Sequence, residues 1–144
     1  MAMLLGSEQI KYILPHRLRW LLVDRLVTCD GESASAELDI TLEHCAGHFS
    51  GHLVFPGVCI EEALAQTCGL LAFYLAEGQV GEQIPFLRGV DGVCFKGQVR
   101  PGDTLRLEVE LTKSLNGLKK FSGKAFVGEK LVARVKEISI YLGE

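Results

Sequence analysis

The residues that could do chemistry crowd into one stretch, Gly47-His48-Phe49-Ser50-Gly51-His52-Leu53-Val54-Phe55-Pro56-Gly57-Val58-Cys59-Ile60-Glu61-Glu62-Ala63-Leu64-Ala65-Gln66. A histidine in a glycine loop can approach a ligand closely, and imidazole is the side chain that changes charge between about pH 5 and 8. Pro56-Gly57 reads as a helix start, where the first backbone N–H groups have no intrahelical partner and face whatever is bound there. Glu61 and Glu62 follow within the first two turns, one as the working carboxylate and the other as its solvent-facing neighbour. Base, oxyanion donor and acid are all present. His44, His48 and His52 repeat every four residues beside Cys45, a spacing that on a helix would make a zinc face. Gly47 and Gly51 interrupt that helix, so no metal site is expected.

The elements that position these groups follow from the pattern around them. Leu21–Cys29 is a short apolar run, and Ala34, Ala36, Leu38 and Ile40 alternate with polar neighbours in a strand's period of two. From Gly57 to Ala76 apolar residues cover most of a helical circumference, which predicts one buried helix about 30 Å long. Glu61, Glu62, Gln66 and Thr67 interrupt it and no Lys or Arg flanks it, so a membrane span is not expected. Beyond Gly78, strands are predicted over 87–96, 105–111, 121–127 and 130–142. Asn116-Gly117 and Gly128-Glu129 supply hairpin turns. The buried parity switches between Leu131, Ala133, Val135 and Ile138, Ile140, Leu142, which predicts a bulge or strong twist near Lys136. Together these predict an α+β architecture, a curved antiparallel sheet around a central helix.

The chain of 144 residues is 48% hydrophobic, the length of a single domain, with apolar material for a full core. Its net charge of −3 argues against a nucleic-acid binder. Residues 1–80 carry 4 basic and 10 acidic residues, and residues 81–144 carry 11 and 8, so an acidic partner would favour the second half. Five scattered cysteines, with no Cys-x-x-Cys pair, suit reduced thiols of a cytosolic protein. The N-terminus has neither the basic region nor the apolar run of a signal peptide.

Four blocks in order resemble the 3-hydroxyacyl-[acyl-carrier-protein] dehydratases of type II fatty acid synthesis, and the similarity covers nearly the whole chain. They are Ile13-Leu14-Pro15-His16-Arg17 with Leu21-Leu22-Val23-Asp24-Arg25; Gly47-His48-Phe49 through Pro56-Gly57-Val58; Glu62-Ala63-Leu64-Ala65-Gln66; and Phe95-Lys96 with Pro101-Gly102-Asp103. The resemblance implies a hot-dog fold over residues 1–144, a homodimer with shared active sites, three such dimers in a hexamer, acyl carrier protein as partner, and no cofactor. It selects Glu62 over Glu61, pairs His48 of one subunit with Glu62 of the other, and assigns the Gly57 amide to the thioester oxygen. His48 is then expected to take the C2 proton, and Glu62, with a raised pKa in an apolar setting, to protonate the departing hydroxyl, unless it only orients a water and leaves both transfers to His48. Phe55, Leu64, Phe73 and Phe95 are candidates for an acyl tunnel. Lys96, Arg100, Lys119 and Lys120 are candidates for carrier-protein contact. His16 and Arg17 are expected to position the N-terminal segment, and Asp24 and Arg25 to pair with each other. Ser50 and Leu53 stand where the common motif has prolines, His52 lies between them, and Arg19-Trp20 replaces a proline-aromatic pair, which leaves loop shape and chain-length preference open. A thioesterase, a dehydratase of a polyketide or other secondary pathway, and a silent acyl-binding protein are the alternatives.

Overall fold

A computed structural model describes residues 4–49, 51–76 and 84–143. Ser50 lies outside the described residues. The chain runs through α1 (Ser7–Ile13), a single 3-10 turn (Leu18–Trp20), β1 (Arg25–Cys29), β2 (Ser33–Asp39), α2 (Leu42–Cys45), α3 (Gly57–Leu75), β3 (Ile84–Phe95), β4 (Thr104–Leu115), β5 (Leu118–Val127) and β6 (Lys130–Gly143). The six strands form one antiparallel sheet in the order β1-β2-β4-β5-β6-β3. It curls around α3 in the arrangement of a hot-dog fold.

Side-chain alternation puts the core on one face of the sheet. Ala34, Ala36 and Leu38 of β2 and Leu105, Leu107 and Val109 of β4 are buried, while their sequence neighbours face outward. Small residues on α3, among them Ala63, Gly69 and Ala72, let the curved sheet close on the helix. Leu64 is fully buried, and its methyl groups lie 3.4 and 3.5 Å from where a Cβ on Gly123 of β5 would stand. Leu64→Ala is therefore expected to lower unfolding free energy by about 2–5 kcal/mol, the range for a buried leucine whose cavity cannot collapse. Denaturant titration checks it, and a loss below about 1 kcal/mol would contradict this packing. By length and composition α3 could cross a membrane, but 61% of its apolar window is buried against the protein's own sheet.

The turns follow from backbone chemistry. Asn116 and Gly117 both take positive φ (42° and 87°), as a type I′ hairpin requires, whereas at Gly128-Glu129 only the glycine does (61°), the II′ pattern. The register between β5 and β6 slips from Phe121↔Ile138 to Gly123↔Val135, so Lys136 and Glu137 oppose one residue and form a bulge at the predicted place. Opposite it, Gly92 has φ 69°, and a Cβ there would stand 2.6 Å from that of Lys136.

The N-terminal region departs from the expected pattern. Strand β1 begins only at Arg25, because the segment before it is drawn into contacts with α3. Asp24 and Arg25 do not pair with each other. Arg25 forms a bidentate bond to Asp39 (2.8 and 2.9 Å) and a third bond to Glu37 (2.7 Å), while Asp24 accepts the Asp39 N–H. Consecutive strand residues point to opposite faces, so a neighbouring-strand partner wins over a sequence neighbour. Leu5 also bridges Leu26, covering the free edge of β1. The outer edge of β3 has no strand partner among the described residues.

Candidate active site

His48 lies on the loop after α2, held by two bonds to one residue. The Val54 N–H donates to the His48 carbonyl (3.2 Å), and the ring Nδ1 lies 3.1 Å from the Val54 carbonyl oxygen. A carbonyl only accepts, so Nδ1 carries a proton and, in the neutral ring, Nε2 holds the lone pair. The loop needs positive φ at Gly47 (81°), Phe49 (61°) and Gly51 (80°), and the Phe49 ring stacks on His48 at 4.2 Å. A non-glycine residue in that region costs about 1–3 kcal/mol. His52 is exposed on the same loop.

Pro56 precedes α3, and the first helical bonds run from Cys59 and Ile60 back to its carbonyl. The Gly57 and Val58 amides come before those bonds and remain outside the helical ladder. Any Cβ at Gly57 would stand 2.9 Å from the Phe95 ring, so glycine lets the aromatic side chain lie directly over the helix start.

Glu62 lies in the second turn of α3, about a third exposed. Its Oε2 is 3.3 Å from His16 Nε2 and accepts a 2.8 Å bond from the Gln66 amide. Gln66, one turn on and buried, also donates to the Trp20 carbonyl (2.6 Å) and accepts the Leu22 N–H (2.8 Å). It thus ties the 20–22 segment to the helix. Arg17 fixes the other side by donating to the carbonyls of Lys11, Leu14 and His16. Arg17 does position the N-terminal segment, but His16 is turned onto Glu62. Gln66 is within reach of a sequence argument, being four residues from Glu62 on the same helix face. His16 stands in the first block of the resemblance, but no local pattern links it to Glu62, which lies far along the chain.

These contacts reverse the expected shift of Glu62. Burial pushes its pKa up, but the bonds from His16 and Gln66 and the nearby imidazole outweigh this and hold the carboxyl below the usual range. A depressed folded pKa adds stability that is present above the unfolded value and lost as pH falls through the folded one. Gln66→Leu removes one of the two bonds to Glu62, leaving that from His16, and strips the Leu22 N–H of its acceptor, so the Glu62 pKa is expected to rise. NMR titration of the carboxyl carbon measures it, and an unchanged or lower value would contradict this balance of burial against hydrogen bonding.

Glu62 lines two cavities. One, of about 70 Å³, is shared with His16, Ala65, Gln66, Leu87 and Ile140. The larger, about 430 Å³, is walled by Trp20, Leu22, Phe55, Val58 and Cys59, with Glu43, His44 and Ala46 at its side. Burial and then Glu62 raise the Cys59 thiol pKa, so it stays protonated at neutral pH. His48 lines neither cavity. Of the tunnel candidates, Phe55 lines the larger one, Leu64 is core, Phe73 is half-buried, and Phe95 lies over Gly57. Lys96 and Arg100 are exposed, Lys119 bonds Ser114, and Lys120 lies 3.5 Å from Glu137. His44 falls in α2 and His48 and His52 beyond it. Among the described residues no three metal-ligating side chains come together.

Residues 14–136 match the family described as FabA-like domain. Two similar relatives, from Roseiflexus castenholzii and Syntrophotalea carbinolica, both bear the name 3-hydroxyacyl-[acyl-carrier-protein] dehydratase FabZ. The first is 42% identical over 132 residues, covering 90% of this chain and 91% of the relative; the second is 39% identical over 142 residues, covering 96% of each. Among solved structures, the dehydratase heterocomplex ApeI:P from Xenorhabdus doucetiae superposes with a TM-score of 0.80 at 14% identity, over 94% of this chain and 91% of that one. PH1136 from Pyrococcus horikoshii gives 0.63 at 21%, over 100% and 96%. These two share the fold. The family match takes in His16, His48, Gly57, Glu62 and Gln66 in one span, and with relatives this similar over nine-tenths of both chains the protein belongs to the FabA-like domain family.

Proposed function

We propose that this protein is a (3R)-3-hydroxyacyl-[acyl-carrier-protein] dehydratase of fatty acid synthesis, a hydro-lyase forming the trans-2-enoyl thioester. The observation that carries the reading is the His48 tautomer. With Nδ1–H engaged by Val54, Nε2 of the neutral ring is the base that takes the C2 proton. The Gly57 amide at the start of α3 donates to the thioester oxygen as charge develops there. The C3–O bond breaks as the C2=C3 bond forms, and hydroxide leaves as water. The lowered pKa of Glu62 supports an ionised carboxylate that accepts a hydrogen bond from the 3-hydroxyl or a water, with His48 returning the proton it took.

The catalytic unit is a homodimer of one domain spanning 1–144, with Glu62 facing the partner's His48. The edge of β3, which has no strand partner among the described residues, supports this, as do Phe86, Leu87 and Phe95, all near half exposed along it. Three dimers in a hexamer, a cytoplasmic location, reaction without a cofactor, and carrier-protein docking through Lys96, Arg100, Lys119 and Lys120 belong to the same reading. The test is turnover of a short (3R)-3-hydroxyacyl carrier-protein thioester. Growth of enoyl absorbance is expected. Release of free thiol without it would mark thioester hydrolysis and overturn the assignment.

A further inference from the structure

Packing alone does not explain an imidazole at position 16. The His16 side chain is 25% exposed, yet its ring Nδ1 is sealed from solvent without a hydrogen-bond partner, the one such buried side-chain atom among the described residues. An orphaned polar atom of this kind costs stability, and a phenylalanine ring would fill nearly the same space without it. What the imidazole adds is Nε2, 3.3 Å from Glu62 Oε2. A proton on Nδ1 would be buried with no acceptor, whereas one on Nε2 meets a carboxylate, so the ring donates from Nε2. The backbone beneath it is fixed by Arg17, which donates to the Leu14 and His16 carbonyls (2.8 and 2.7 Å).

We propose that His16 is a positioning residue of the reaction, holding the Glu62 carboxylate in the orientation that meets the 3-hydroxyl or the water. This rests on the dehydratase reading. Both donors to Glu62 end on the same oxygen, Oε2, one from the N-terminal segment and one from Gln66 a turn along α3. Two donors carried by separate elements restrain the carboxylate more tightly than either does alone. Around the cavity of about 70 Å³ that His16 and Glu62 share, Leu87 and Ile140 offer no side chain that competes for that oxygen. Glu43, His44 and Cys59 line the larger cavity with Glu62, but among the described residues none of them bonds to it.

The test is His16→Phe, which keeps a flat ring and removes both nitrogens. With a short (3R)-3-hydroxyacyl carrier-protein thioester, kcat is expected to fall by about 10–10²-fold, the scale of a misplaced reacting group, with KM within about twofold of wild type. The denaturation midpoint should stay near the wild-type value, because the orphaned Nδ1 disappears together with the bond to Glu62. The Glu62 carboxyl pKa, followed by NMR, should rise, since the His16 bond is one of the contacts that hold it down. His16→Gln brings an amide N–H near the Nε2 position and should restore most of kcat. An unchanged kcat, a kcat loss matched by a lower midpoint, a Glu62 pKa that does not move, or no restoration by glutamine overturns the proposal while the dehydratase reading stands. Absence of turnover in wild type overturns that reading and this one together.

Discussion

Replacing His48 by alanine is expected to lower kcat/KM by about 10²–10⁴-fold, the range for loss of a positioned general base. The fold should survive, since the ring contributes one hydrogen bond and one stacked contact on a partly exposed loop. Mixing this variant with Glu62→Ala separates a shared site from one contained in a single chain. If each site joins His48 of one subunit to Glu62 of its partner, a mixed dimer has one fully mutated site and one intact site. With random exchange half of the dimers are mixed, so about a quarter of wild-type activity should return. Subunit exchange followed by the enoyl assay measures it. No recovery, with mixed dimers shown by native mass spectrometry, would contradict a site built across the interface.

The second large effect concerns Glu62. An ionised carboxylate that accepts a hydrogen bond loses its charge but not its acceptor oxygen in Glu62→Gln, so a fall of about 10–10²-fold is expected, below the loss from removing a base. The high-pH side of the kcat/KM profile should be the same in both proteins. The sign follows from the depressed pKa: Glu62 is already ionised at neutral pH, and only acidification through its folded pKa removes the charge. A high-pH fall present in wild type and absent in Glu62→Gln would show that a protonated Glu62 supplies the proton, against the mechanism proposed. Glu62→Asp keeps the charge but withdraws it by one methylene from His16 and Gln66, and should retain more activity than the alanine variant.

Sequence alone determined the elements whose forces are local. Period-two alternation in β2 and β4, the apolar circumference of α3, Pro56 at its start and the two glycine turns are all set within a few residues, so they can be read in order along the chain. The change of phase near Lys136 was legible for the same reason, because buried parity can switch within one strand only by a local irregularity, a bulge or a strong twist, and the register decides for the bulge. The segment from His16 to Leu22 was not, because its conformation is set by Gln66, 46 residues from Trp20, and a single amide bridging one carbonyl oxygen, one carboxyl oxygen and one N–H leaves no periodic trace. The motif could name His48, Gly57 and Glu62 as residues of a site, but only the fold decided their state. The same imidazole holds its proton on Nδ1 at His48 and on Nε2 at His44 because one faces a carbonyl and the other an N–H. Glu62 illustrates the reason most directly. Its apolar surroundings, readable from sequence, push the carboxyl pKa up, while the His16 and Gln66 contacts that push it down exist only once distant segments pack, and the packed contacts win.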